Sequence, residues 1–204
     1  CSSDLKQNGL TAFFLIVSLL MLRGENRQQL TRLLEDLDKQ LELRTTYEQN
    51  RLQRINALKS VIQQQDLSPE QSYGFYQQLI EEYKAYNFDS TMHYIEASAH
   101  LASLLNSKPY QDQTRIRRGL IFATSGNFLE SSDILYNDID SLTLDPGLLP
   151  EYYVALQRLS GELAEYSTDP ATKRIYTGRR AYYRSKIMEQ TDPQSDEYLY
   201  YLFQ

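Results

Sequence analysis

The residues that could do chemistry are few, and their spacing suits other work. His93 and His100 lie seven apart in one helical stretch. They share a face but stand about 10 Å apart along the axis, too far for one metal ion. With one Cys and two His in the chain, an ordinary Cys/His zinc module is excluded. Glu81-Glu82 and Glu162/Glu165 are carboxylates on helix faces, and solvated faces explain them more simply than acid–base catalysis. The glycines are scattered rather than gathered in a phosphate loop, and no nucleophile elbow is present. The expectation is therefore no enzyme, no cofactor and no metal. Arg115, Arg117, Arg118, Arg179, Arg180 and Arg184 form basic clusters, but residues 67–204 carry 12 basic and 19 acidic side chains. On that background they are ion-pair partners rather than an anion site. A formal charge of −6 gives no nucleic-acid footprint to this segment.

The Tyr residues are the better lead. Tyr73, Tyr76, Ile80 and Tyr83 have i, i+3, i+7, i+10 spacing and form one helical stripe. Tyr offers a broad apolar face with a hydroxyl, which suits peptide or glycan contact. Two readings stand. The stripe faces a concave groove and binds a partner, or it packs against the long helix that precedes it.

The elements that must position these residues are helices. The chain has 31 Leu but 3 Val, 17 Tyr and no Trp, which argues against a sheet protein. Residues 26–65 carry a heptad-like pattern: Leu30, Leu34, Leu37 and Leu41, then Ile55, Leu58 and Ile62, with Arg44, Glu48 and Arg51 in the same register between them. A seam charged in its middle fits a long amphipathic helix packed on its neighbours better than a long self-sufficient coiled coil. Ser68-Pro69-Glu70-Gln71 is a helix start with a capping box, and Asp89, Asp169 and Ser195 are further N-caps. The pattern predicts helices over 68–86, 89–107, 112–125, 129–141, 150–166 and 169–190, and a last one from 195.

Residues 10–22 are an apolar run flanked by Lys6 and Arg23. The run is shorter than the roughly 20 residues of a membrane span and reads as an export signal or membrane anchor covering residues 1–24. Residues 1–4 have two readings: non-native upstream translation before a misread start at Leu5, or a lipidated mature N-terminus at Cys1, which is disfavoured because the apolar run follows the Cys instead of preceding it. The aromatic run 198–203 is expected to continue past the end of the sequence. The expected organisation is thus 1–24 export or anchor, 25–66 long amphipathic helix, and 67–204 helical repeats truncated at the C-terminus.

Two segments share a local plan at an offset of 40 residues. Tyr86-Asn87-Phe88 is followed by Thr91, Ile95 and Ser98. Gly126-Asn127-Phe128 is followed by Ser131, Leu135 and Asp138, and preceded by Gly119 and Phe122. These positions resemble the tetratricopeptide repeat, with Phe75 where Trp often stands and Leu79 where a small residue is expected. Gln113, Ile116 and Leu120 are then the second unit's equivalents of the Tyr stripe. The order of motifs, from the export segment through Leu37-Asp38-Lys39, Tyr47, Arg54-Ile55 and Leu58-Lys59 to Tyr86-Asn87-Phe88-Asp89-Ser90, is similar to the N-terminal exported tetratricopeptide region of Bacteroidota membrane-anchored regulators. Longer members of that family continue into a transmembrane helix, a coiled coil and a DNA-binding helix-turn-helix.

The expected fold is all-α: a tetratricopeptide-like α-α solenoid of helix hairpins preceded by a long N-terminal helix. The resemblance implies an extracytoplasmic ligand- or protein-binding sensory module of a larger signalling or transcription-regulatory protein. It would sit in the cell envelope on the periplasmic side of the cytoplasmic membrane. Its partner would be a protein, peptide or glycan-related ligand, and residues 10–22 or a following segment would give membrane association. The alternative is a non-signalling envelope scaffold. On the groove reading, Tyr76→Ala abolishes partner binding with little change in melting temperature, whereas a large loss of stability marks the stripe as core.

Overall fold

The computed structural model describes residues 2–64 and 66–203, with side chains from Gln29 onward except that of Glu197. Among the described residues the regular elements are helices and there is no strand. The first helix, α1, runs Ser2–Gln64. Residues 10–22 belong to its backbone, but their side chains, and with them the export-segment reading of residues 1–24, lie outside the described residues. No described helix is long and apolar enough to cross a membrane.

The chain divides into two units, residues 1–54 and 55–204. The packed unit thus begins inside the long helix rather than at residue 67. In the first unit Leu30, Leu34, Leu37 and Leu41 are exposed, and ion pairs run along the helix, Lys39 to Asp36 at 3.1 Å and Arg44 to Glu48 at 2.9 Å.

The second unit starts with the last turns of α1. It continues through α2 (Pro69–Tyr83), α3 (Phe88–Leu104), α4 (Lys108–Thr124) and α5 (Phe128–Ser132). After these come α6 (Leu149–Tyr166), α7 (Pro170–Met188) and α8 (Asp196–Leu202). The boundaries follow local chemistry. Ser68 closes the expected capping box on α2: its hydroxyl accepts from the Gln71 amide, and its own amide donates to Gln71 Oε1 at 2.9 Å. α3 is capped by Asn87 rather than Asp89, because Asn87 Oδ1 accepts the Ser90 amide at 2.8 Å. Asp169 and Ser195 cap α7 and α8 as expected, and the Thr172 hydroxyl and amide on Asp169 hold its carboxyl below the usual carboxylate range. α3 and α4 end alike. Asn106 and Gly126 take left-handed φ of 49° and 87°, and the next amides reach back to the carbonyls of Ala102 and Phe122, the bonding of a Schellman turn.

The helix expected over 129–141 is not a regular α-helix. After α5 the chain widens into a π-helical turn, Asp133–Asp138. In this terminal turn the Leu135 carbonyl accepts a 2.7 Å bond from the Tyr152 hydroxyl of α6, which ties the hairpin to the next repeat.

The helices pair as hairpins α2/α3, α4/α5 and α6/α7, and α4 touches both α3 and α6. The main core gathers Ile116, Leu135, Ile139, Tyr152, Leu156 and Leu159. A second gathers Ile80, Ile95 and Ile121. A third joins Ile55 of α1 to Leu79 and Tyr83. Thr91 and Ser131 are fully buried small residues, and Ile95 and Leu135 are fully buried apolar ones. Phe75, Phe122 and Phe128 are partly buried, whereas Phe88 is 43% exposed. At Gly119 the two helices of the second hairpin nearly touch. A Cβ there would stand 2.6 Å from Leu135 Cγ, and the Ser131 hydroxyl donates to the Gly119 carbonyl at 2.8 Å. Gly119→Ala should therefore lower the unfolding free energy by about 1–3 kcal/mol, although alanine is the better helix former. Urea denaturation measures it, and an unchanged or raised midpoint would show that the approach is not a packing constraint.

Candidate functional site

The Tyr stripe is core. Tyr73, Ile80 and Tyr83 are buried, and Tyr76 is half-buried. Tyr76 packs with Leu58 and Ile62 against Ile55 and Leu79, its ring 5.7 Å from that of Tyr94. Lys59 of α1 lies over the Tyr83 ring at 5.5 Å, and its bond to the Tyr83 hydroxyl raises the ammonium above its ordinary value. The groove reading of Tyr73, Tyr76, Ile80 and Tyr83 is thus corrected. Periodicity placed them on one face, and the last turns of α1 and the neighbouring repeat cover that face. In the second unit Ile116 is fully buried and Gln113 is engaged in hydrogen bonds, so of the three equivalents only Leu120 opens to a cavity.

Tyr73 belongs instead to a polar ladder that crosses successive hairpins. Its ring stacks on Tyr110 at 4.3 Å. Its hydroxyl lies 3.0 Å from Gln113 Oε1, 3.1 Å from the Tyr110 carbonyl and 3.1 Å from Thr114 Oγ1. Arg117 continues the ladder, with Nε donating to Glu151 Oε1 at 2.7 Å and Nη1 lying 3.6 Å from Glu81. One guanidinium so links α2, α4 and α6. Arg115 pairs with buried Asp112 at 3.1 Å, and Arg118 with Glu96 at 3.5 Å. Arg179 lies over the rings of Tyr136 and Tyr176. His93 meets Tyr94 edge-on. Among the described residues no three His, Cys, Asp or Glu side chains are grouped to hold a metal.

A cleft of about 860 Å³ opens in the second unit. Its lining includes Leu120, Ile121 and Thr124 of α4 and Val154, Gln157, Arg158, Gly161, Glu162 and Glu165 of α6. Tyr86 of the α2–α3 turn, Phe88 at the start of α3, and Tyr200 and Tyr201 of α8 also line it. Arg158 is held by Glu162 at 2.7 Å. Arg180 of α7 lies across Gly161, where a Cβ would sit 3.4 Å from its Cδ. The cleft thus offers aromatic faces, apolar side chains and both signs of charge, a lining that suits an extended partner. A signal for it was present in the sequence. Positions 154, 157, 158, 161, 162 and 165 of α6 are one helical stripe, and its polar, Gly-containing composition marks a face that is not core.

A family model described as the SusR N-terminal TPR domain matches residues 41–204. The chain belongs to this family. No curated protein and no solved structure matches it. The SusR N-terminal TPR domain assignment agrees with the all-α solenoid of hairpins and makes the chain a SusR-like regulator module with a role in binding. Tetratricopeptide domains generally mediate protein–protein contact, and the fold is typically non-enzymatic.

Two outcomes follow from the buried tyrosines. Tyr76→Ala should cost about 2 kcal/mol of stability in chemical denaturation, through lost packing on Ile55 and Leu79; an unchanged midpoint would return the residue to the surface. Burial pushes the Tyr73 and Tyr152 hydroxyls from 10.0 up to about 12. The folded state therefore holds these protons more tightly than the unfolded chain. Stability is full below pH 10 and falls as pH rises through 12. Tyr73→Phe and Tyr152→Phe should each flatten that decline in pH-dependent urea titrations.

Proposed function

We propose that the chain is the extracytoplasmic sensory module of a larger signalling or transcription-regulatory protein, on the periplasmic side of the cytoplasmic membrane. It docks a protein or peptide segment in the α4–α6 cleft. The observation that carries this reading is the cleft itself, about 860 Å³ on a solenoid whose family serves binding. Solenoids of stacked hairpins present such extended concave surfaces to partners. A glycan-related ligand would use the same aromatic walls, Tyr86 and Phe88 against Tyr200. Residues 10–22 supply export or membrane association on this reading. Occupancy reaches the rest of the protein through α8, which contributes Tyr200 and Tyr201 to the cleft and also packs on α7.

A photo-crosslinking amino acid at Tyr86 should capture a partner that the same group at Leu142, which is 93% exposed and outside the cleft, does not. Gly161→Trp, which puts an indole into the cleft, should abolish that capture while leaving the melting temperature within a few degrees. Equal capture at both positions, or capture that survives Gly161→Trp, would remove the cleft as the binding site.

A further inference from the structure

The cations that line the α4–α6 cleft are all engaged within the fold, and one carboxylate is not. Arg158 is held by Glu162 at 2.7 Å. Lys84, just past the end of α2, is held by Glu81, and Arg180 is engaged as well. Glu165 is exposed and makes no ion pair or hydrogen bond among the described residues. The chain around it supplies no cation, because the positions three and four residues away are Gly161, Glu162, Thr168 and Asp169. The lining also takes in the C-terminal ends of three helices. Lys84 and Ala85 follow α2, Thr124 and Ser125 close α4, and Glu165 lies in the last turn of α6. None of the three has a basic residue in its last turn. The last carbonyls of each carry partial negative charge, so the backbone adds to the field of Glu165. Two open aromatic side chains share the lining, Tyr86 at 41% exposure and Phe88 at 43%. An unpaired carboxylate, helix C-termini and aromatic faces all favour a cation.

We propose that the protein segment docked in this cleft carries an arginine whose guanidinium pairs with Glu165. The inference rests on the cleft as the docking site and adds the chemistry of its occupant. Charge selects a cation. An acidic segment would bring a further carboxylate to Glu162 and Glu165, and it would meet Lys84 and Arg158 already paired. Arginine suits the site better than lysine. Its planar guanidinium meets a carboxylate through two N–H groups and stacks on aromatic faces, whereas an ammonium is a compact, strongly hydrated point charge. A metal ion would need more ligands than Glu165 and its neighbours supply, since no three His, Cys, Asp or Glu side chains are grouped for one among the described residues. Because Glu165 is exposed and unpaired in the fold, its substitution separates binding from stability.

The test selects peptides with the full chain in mild non-ionic detergent. Phage-displayed random heptapeptides are panned on it, and those that also bind Gly161→Trp, whose cleft is filled, are discarded. In the remainder arginine should be enriched several-fold over the unselected library. Glu165→Arg panned in the same way should lose that enrichment in favour of Asp and Glu. A synthetic peptide from the enriched set should bind Glu165→Gln about tenfold more weakly in fluorescence polarisation, with the thermal transition of the chain unchanged. Replacing its arginine by citrulline, which keeps the shape and removes the charge, should cost the same factor on the unsubstituted chain and little on Glu165→Gln. Cleft-dependent peptides without arginine enrichment, or a citrulline cost undiminished in Glu165→Gln, would overturn the arginine and leave the cleft as the docking site. If every peptide survives Gly161→Trp, the cleft itself falls, and the inference with it.

Discussion

Gly119 has no side chain, and Leu135 fills the place where one would stand, 2.6 Å from the missing Cβ. This approach sets how closely the second hairpin closes, and the second hairpin sits in the middle of the packed unit. Ile116, one turn from Gly119, enters the main core with Leu135, Tyr152 and Leu159. The Ser131 hydroxyl on the Gly119 carbonyl and the Tyr152 hydroxyl on the Leu135 carbonyl fix both helices by groups that would otherwise be buried unpaired. With α4 held so, its opposite side presents Leu120, Ile121 and Thr124 to the cleft. The first hairpin solves the same problem differently, with Leu79 at the equivalent position, fully buried against Ile55 of α1.

That substitution explains why the last turns of α1 belong to the packed unit. A leucine where the repeat expects a small residue needs an outer partner, and the last turns of α1 supply it. The tyrosines of α2 are drawn into the same contact, so residues with the composition of a binding stripe become core. The cleft forms one layer further on, from α6, where Gly161 lets Arg180 lie across the helix and Glu162 holds Arg158. Arg117 binds the layers together by reaching Glu151 on one side and Glu81 on the other. With the Arg117 side chain at 16% exposure, this guanidinium is a structural tie and not a free anion site.

Much of this was legible in the chain. The Ser68 capping box, the Pro-led starts and the Leu excess place the helices to within a few residues, because caps and periodicity are local. The 40-residue offset finds Thr91 with Ser131 and Ile95 with Leu135, because packing positions recur with the repeat. Which face of α2 meets solvent was not legible. The i, i+3, i+7, i+10 spacing of its tyrosines is identical for a stripe that binds a ligand and one that binds α1. Asn87 taking the cap in place of Asp89 depends on where the turn ends, which pattern fixes only loosely. The π-helical turn after α5 likewise carries a tertiary bond, Tyr152 to Leu135, and no run of residues 133–138 announces it.

The central claim is that partners meet the α4–α6 face and not the tyrosines of α2. Hydrogen–deuterium exchange of the chain with and without the bound partner tests it most directly. Slowed exchange on binding at residues 120–125 and 154–165, with 73–83 unchanged, is the expected result. Protection confined to 73–83, or absent from α6, would contradict it.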